Sequence, residues 1–436
     1  MSLDVFFFAR RPVPWIRLTV NLSTNPKLEE FERSIANVVS PLFIPKTRAE
    51  IEMNDVAHNL PVGALRHGIR IEAAELRIVS LPLLTPFVIS TGTMTCKTFP
   101  LLVLKGEGLE GIAEAVMDPT PDYLEETIVG AMGFLRDVLL PSIIGKRFLS
   151  PYELEPYLAP WRGHRMSKAV VEMAFWDMWA KSLNMPLKGV LGGIRDKVDV
   201  GVSLGIAPIE KTLDRVDEAV ASGYKRTKLK IAQGHDIKIV AAVRARHPDI
   251  KLTVDANTDY GLVDLPTLQR LDDFNLDYIE QPLAFDDFFD HAQVQAALKT
   301  AICLDESIRC ASDTRKALEM RAGRVINIKV GRVGGYAEAR AIHDISAAFG
   351  APVWCGGMLE SGIGRAHNIH LATLANFTKP GDTSSASRYF KRDIVNEQLE
   401  ATHGEMSVPA IGAGIGVTLD HTYLATVTDH FEEIRK

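Results

Sequence analysis

From about residue 198 onward, short apolar runs rich in β-branched residues alternate with amphipathic stretches. The runs are Val198–Ile206, Thr227–Ile231, Lys251–Ala256, Leu276–Gln281, Ala301–Glu306, Val325–Val330 and Pro352–Cys355. Between them, Glu210–Ala221, Asp236–Arg246, Val263–Asp273 and Tyr336–Phe349 repeat apolar positions at helical spacing. Strands that are apolar throughout and alternate with helices predict a parallel sheet covered by helices. Seven or eight such units predict a closed barrel more than an open sheet. The eighth strand is placed near Thr378–Ser387.

The region before the repeat reads differently. Glu72–Ser80 alternates, and Leu101–Lys105 comes after a Thr/Ser-rich stretch. That predicts a short antiparallel hairpin with a long connection. Leu124–Leu139 and Ser167–Ser182 have helical periodicity, the second with a broad apolar stripe. In the first 68 residues the apolar run Val5–Ala9 is too short for a signal peptide, and Arg10-Arg11 comes after it instead of before it. Leu28–Val39 suits one amphipathic helix, and Pro41, Pro45 and Pro61 punctuate the rest of the segment. Four parts are expected: an extension without assigned role (1–68), an α+β cap domain (69–165), a (β/α)7β barrel bearing the active site (166–395), and a C-terminal segment returning to the cap (396–436). The expected fold class is therefore α/β, a modified TIM barrel (β/α)7β with an α+β N-terminal cap domain.

Composition narrows the partners. The 436 residues carry 49 Lys+Arg against 55 Asp+Glu, a net charge of −6. Nucleic acid is not expected, because phosphate binding needs a basic surface. Nor is a membrane, because no apolar stretch approaches the ~18 residues a span needs. Cys96, Cys303, Cys310 and Cys355 form no CxxC pair, which suits free thiols in a reducing cytoplasm.

The chemistry lies at the strand ends. Lys230, Asp255, Glu280, Asp305 and Lys329 close successive runs, spaced 25, 25, 25 and 24 residues apart. That is one βα unit per step, so each is expected at the same height around one mouth, where barrels place their active sites. A single strand-end acid is ordinarily a turn former or helix cap. Five residues in the order Lys, acid, acid, acid, Lys are hard to explain as turn chemistry. Three convergent carboxylates raise one another's pKa unless a cation joins them. All-oxygen ligands select a hard divalent ion, Mg2+ first and Mn2+ as the alternative. A lysine near that metal and a second cation is expected to have a lowered pKa and to act as a base. The metal then stabilises the oxyanion formed when a proton α to a carboxylate leaves.

At these residues the sequence resembles the enolase superfamily, and within it the muconate-lactonizing subgroup. The resemblance rests on Lys-x-Lys at Lys228–Lys230, Asp-x-Asn at Asp255–Asn257, Glu-Gln-Pro at Glu280–Pro282, Asp-Glu-Ser at Asp305–Ser307 and, more loosely, Ile328–Val330. Lys329–Gly335, Gly356–Asn368, Gly381–Phe390, Gly414–Leu419 and Trp161–Asp177 look like the o-succinylbenzoate synthase and N-acylamino acid racemase family. The resemblance covers residues 70–436 and implies that Lys230 takes the α-proton. It implies that Lys329 stabilises the enediolate or serves as the opposite acid/base, with Asp255, Glu280 and Asp305 as metal ligands. Lys228 would face the substrate carboxylate. Ser203, Asn257 and the backbone of Gly357, Met358 and Leu359 would line the pocket, and Phe87 and Tyr123 would sit on the capping loops. Arg332, three residues after Lys329, would tune that lysine or merely cap the turn.

The implied activity is o-succinylbenzoate formation by dehydration in menaquinone biosynthesis, with N-succinylamino acid racemisation on the same site. A dipeptide epimerase or muconate-type cycloisomerase is the alternative, and a non-catalytic barrel binding protein is the alternative of another class. The expected setting is a cytoplasmic homo-oligomer acting on a small-molecule carboxylate. Other signals read as structural. His367 and His370 read as packed or solvated histidines, Gly331–Gly335 as a tight turn, Cys355 as a core thiol, and Asp286–Asp290 as a helix start.

Overall fold

In the computed structural model, the described residues are 68–89, 92–409 and 412–436, together with two short strands, Ser2–Val5 and Leu18–Asn21, that pair antiparallel. Those two strands belong to a unit spanning residues 1–59, and residues 60–436 form the other. The helix expected at Leu28–Val39 lies outside the described residues.

Seven parallel strands run side by side in chain order: Val202–Leu204, Thr227–Lys230, Leu252–Asp255, Ile279–Glu280, Ile302–Leu304, Val325–Ile328 and Val353–Cys355. They are largely buried on both faces because helices cover one and the barrel interior fills the other, and the polar residues among them collect toward the strand ends. The expected first strand, Val198–Ile206, is split. Lys197–Asp199 turns away to pair antiparallel with Glu405–Ser407, and only Val202–Leu204 joins the barrel.

Thr378–Ser387 does not form the eighth strand as expected. Single bridges close the ring instead: Val353 with Phe377, and Val200 with Gly381. Thr378 N donates to Val353 O (3.2 Å) and Gly201 N to Gly381 O (2.7 Å). Pro380 and Gly381 disfavour a regular ladder here.

The cap is a four-stranded antiparallel sheet in the order Thr428–Arg435, Ala73–Ile89, Gly92–Gly106, Leu109–Glu114. The expected long connection is itself strand. Ala73–Ile89 and Gly92–Gly106 pair from Ala73/Lys105 out to Ile89/Gly92, with one irregularity between Pro82 and Phe87. Its threonines are β-branched and suit an extended chain as well as a loop. Leu124–Leu139 is likewise broken, into Ile128–Phe134 and a π-helical turn over Leu135–Leu139.

Helix Arg165–Ser182 is buried on nearly all sides, between the cap strands and the barrel. The two acids inside it act as caps for neighbours. Asp177 accepts from Ile112 N (3.0 Å) and Ile415 N (2.9 Å), and Glu172 from Tyr336 N (2.7 Å) and Ala337 N (2.9 Å). Glu172 thus satisfies the start of the helix Tyr336–Ala348 that comes after strand six. Gly335 is required beside it: its φ is +110°, and an added Cβ would lie 2.3 Å from Glu172 Oε2. Among the described residues no helix is long and apolar enough to cross a membrane.

Candidate active site

Lys230, Asp255 and Glu280 are direct register partners on strands two, three and four. The expectation of equal height fails beyond them. Glu280 pairs with Cys303 and Leu304 with Ile326, so Asp305 and Lys329 each stand two residues further along. Side chains alternate along a strand, so a shift of two keeps both on the inward face. Such stagger is what closing a barrel demands.

The inward groups pair acid with amine. Lys230 Nζ donates to Asp255 Oδ2 (2.7 Å) and Asn257 Oδ1 (2.6 Å). Lys329 Nζ donates to Asp305 Oδ2 (2.8 Å) and to the Tyr123 hydroxyl of the cap (2.9 Å). Lys228 bridges Asp255 (3.1 Å), Glu280 (2.9 Å) and Asp382 (2.7 Å). Arg332 grips Asp305 and also donates to Ile308 O and Asn327 O, both at 3.0 Å. Arg226 grips Asp382.

Charge balance emerges from those pairs. Burial opposes the charge on Asp255, but the Lys230 and Lys228 ammonium groups outweigh it and hold the carboxyl below its usual range. Burial and then Asp255 push Glu280 up. Burial favours neutral Lys329, yet the Tyr123 hydroxyl and the Glu306 and Glu280 carboxyls leave it above the ordinary lysine range. The lowered lysine pKa expected from the sequence presupposes the charge of a bound metal ion beside the amine.

Lys230, Asn257, Lys329, Gly357, Met358, Leu359, Phe87 and Tyr123 all line one cavity of roughly 340 Å3. The other expected pocket residues lie elsewhere. Lys228 is turned into the acid cluster and not onto the cavity, and Ser203 lines a neighbouring cavity. Sequence reasoning missed Glu306, which accepts from Asn257 Nδ2 (3.0 Å), and Asp382. Both sit inside motifs already singled out, the Asp-Glu-Ser turn and Gly381–Phe390. It also missed the buried Lys97, which donates to Asp118 Oδ1 (3.1 Å) at the cavity wall and lies in an unremarkable Thr/Ser-rich stretch.

Glu114 of the cap ties the far side. It accepts from Ser361 N (3.1 Å), the Ser361 hydroxyl and Gly364 N (3.2 Å), at the start of helix Gly362–Leu371. Burial and the neighbouring Glu360 push its carboxyl up to about 8. In that helix His367 bonds Tyr336 OH and Ile112 O, both at 2.8 Å, and His370 bonds Lys188 N and Ile415 O. Both are core histidines.

The donor set suits a hard divalent ion in kind. It is all carboxylate, Asp255 and Glu280 repel each other, and the buried Glu306 Oε2 has no hydrogen-bond partner. Its arrangement is one of acid–amine pairs, and among the described residues no three acid, histidine or cysteine side chains are set to share one ion.

Residues 73–192 match the model of the mandelate racemase / muconate lactonizing enzyme N-terminal domain, and residues 211–423 match the enolase C-terminal domain-like model. The N-succinylamino acid racemase of Thermus thermophilus is 54% identical over 360 residues, 82% of this chain and 97% of that one. The o-succinylbenzoate synthase of Geobacillus kaustophilus is 46% identical over 362 residues, 83% and 96% of the two chains. Among solved structures, an enolase superfamily member from Listeria innocua superposes with a TM-score of 0.82 at 41% identity, over 84% of this chain and 99% of that one.

Proposed function

We infer the reaction from a family premise: the chain belongs to the enolase superfamily, with the two-domain build of the mandelate racemase / muconate lactonizing enzymes. The reaction is removal of a proton α to a carboxylate. Its favoured form is o-succinylbenzoate formation by loss of water, and the same residues serve racemisation of N-succinylamino acids. One observation carries this reading. Two lysines, each hydrogen-bonded to a strand-end carboxylate, line a single cavity that cap residues Phe87 and Tyr123 also line.

Asp255, Glu280 and Asp305 would hold Mg2+, or Mn2+ in its stead, whose charge stabilises the substrate carboxylate as it becomes more negative and lowers the proton affinity of nearby amines. Lys230 accepts the α-proton, and the electron pair left behind moves into the carboxylate as an enediolate. In the synthase reaction that pair returns to form a carbon–carbon double bond while hydroxide leaves the β-carbon. Lys230 gives its proton to the departing hydroxide, and water is released. In racemisation the pair returns to the α-carbon, which takes a proton from Lys329 on the opposite face. Lys329 must be charged for that step. Arg332 is a positioning residue: it holds the other carboxylate oxygen of Asp305 and so fixes the acceptor on which Lys329 rests. Asn257 fixes Lys230 at 2.6 Å.

The test is exchange of α-hydrogen in deuterated water, with N-succinylamino acids and with the hydroxy-acid precursor of o-succinylbenzoate, with and without Mg2+. Metal-dependent exchange that disappears in Lys230→Ala is expected. Undiminished exchange in that variant, with metal retained, overturns the assignment of the base.

A further inference from the structure

Phe87 belongs to the wall of a second cavity as well as to the catalytic one. This second cavity is also about 340 Å3. It lies where the cap segment Thr85–Val88 rests on the end of barrel strand one and on the loop at Arg388-Tyr389. The seam is fixed in place. Ile206 N donates to Val88 O (3.1 Å), Leu84 N donates to Tyr389 O (2.9 Å), and the Phe87 and Tyr389 rings meet edge to face at 6.5 Å. The chains approach so closely that a Cβ on Gly205 would lie 2.7 Å from Val88 O.

Three cations, Lys211, Arg215 and Arg388, line this cavity, and among the described residues no carboxylate does. Lys211 and Arg215 stand one turn apart on helix Ile209–Ala221. None of the three has a hydrogen-bond or ion-pair partner among the described residues, although Arg388 lies over the Tyr224 ring at 5.5 Å. Two further atoms, Ser203 Oγ and Arg388 Nε, are shut off from solvent and have no hydrogen-bond partner. Unspent donors and unbalanced positive charge in a concavity call for an oxyanion. Another neighbouring cavity shares Asp122, Tyr123 and Asn257 with the catalytic one and has the opposite character to the cationic one. Its charged lining is Asp122, Glu125 and Glu306, with no cation. An anionic group leaving the catalytic cavity is therefore repelled on one side and attracted on the other.

We propose that the cavity lined by Lys211, Arg215 and Arg388 is an oxyanion subsite that receives the carboxylate at the far end of the substrate's acyl arm, while the α-carbon stays between the two lysines. The assignment rests on the function proposed above, which supplies a substrate bearing a second carboxylate. Carboxylate and phosphate share the required chemistry, so the experiment separates a substrate arm from a free anion.

The metal-loaded full chain is compared with Arg215→Gln, Arg388→Gln and the double variant. KM and kcat for α-hydrogen exchange are measured with an N-succinylamino acid and with its N-acetyl counterpart, which lacks the distal charge. The ratio of the two KM values, succinyl over acetyl, should rise roughly tenfold in the double variant, with the change falling on KM and not on kcat. Inorganic phosphate should compete against the succinyl substrate more strongly than against the acetyl one. Thermal shifts with succinate and with neutral succinamide are read in parallel without turnover, and only succinate should stabilise the protein, through the intact arginines. An unchanged KM ratio together with equal shifts for succinate and succinamide overturns the subsite. An unchanged ratio with a phosphate shift that the variants abolish overturns the acyl arm as occupant and assigns the cavity to a free anion. Absence of exchange with every substrate while the succinate shift persists counts against the proposed reaction and for the subsite.

Discussion

Lys230 and Lys329 face one cavity, but the protein builds them from different material. Lys230 leans on Asp255 at the end of the next barrel strand and on Asn257 in the loop after it, and its side chain is 11% exposed. Lys329 leans on Asp305 from the preceding strand and on Tyr123 from the cap, and Arg332 takes the other side of Asp305. The first amine is a product of the barrel alone. The second is set only when cap, strand and adjoining turn come together, since Glu172 of helix Arg165–Ser182 anchors the helix just beyond that turn. Disturbing the cap should therefore reach strand six before strand two, and reactions that use both faces of the α-carbon before those that use one.

The largest break in that symmetry is Lys230→Ala. Both dehydration and racemisation should fall about a thousandfold in kcat, measured at saturating substrate with metal present. Lys329→Ala should cost racemisation about a hundredfold, yet one enantiomer should still wash in deuterium through Lys230, monitored by proton NMR. Equal loss for both enantiomers would mean that the amines do not divide the two faces.

The third prediction concerns the tie on which the cap depends. Glu114 is held near 8 when folded, against a usual 4.5, so folding favours its protonated form. Its contribution is present at low pH and fades as the pH climbs from about 4.5 through 8. Urea midpoints should drop between pH 6 and 9 by roughly 2 kcal/mol of stability, and Glu114→Gln should flatten that slope. Next in size, Glu172→Ala removes the acceptor for Tyr336 N and Ala337 N and should cost about 1 kcal/mol, with racemisation hurt more than dehydration. The smallest expected effect is that of Tyr123→Phe: about threefold in racemisation and less in dehydration, because Lys329 keeps Asp305.

The strand-end residues were legible because one βα unit has a nearly constant length, and that regularity alone brought Lys230, Asp255, Glu280, Asp305 and Lys329 to one mouth. The stagger was not legible. A shift of two residues leaves the inward pattern unchanged, so no periodicity records it. The closing segment escaped for a related reason: its role needs only a few backbone hydrogen bonds, which side-chain pattern does not encode. The protruding hairpin was read as connection because its solvent-facing threonines fit strand and loop equally well. Glu306 and Asp382 escaped because each neighbours a residue that already explained its motif. Lys228 shows a different limit. The Lys-x-Lys spacing places both lysines on the same side of the strand, but which partner each meets depends on Asp382, more than 150 positions away.

The chain's last strand, Thr428–Arg435, is laid along Ala73–Val79, near the beginning of the described cap. During synthesis the cap sheet must therefore wait, one edge unpaired, until Thr428–Arg435 has been translated and has cleared the ribosome. A barrel whose strands are all made earlier can already have collapsed by then. Losing Thr428–Arg435 would thus damage the cap sheet at its base, far from any residue that touches substrate.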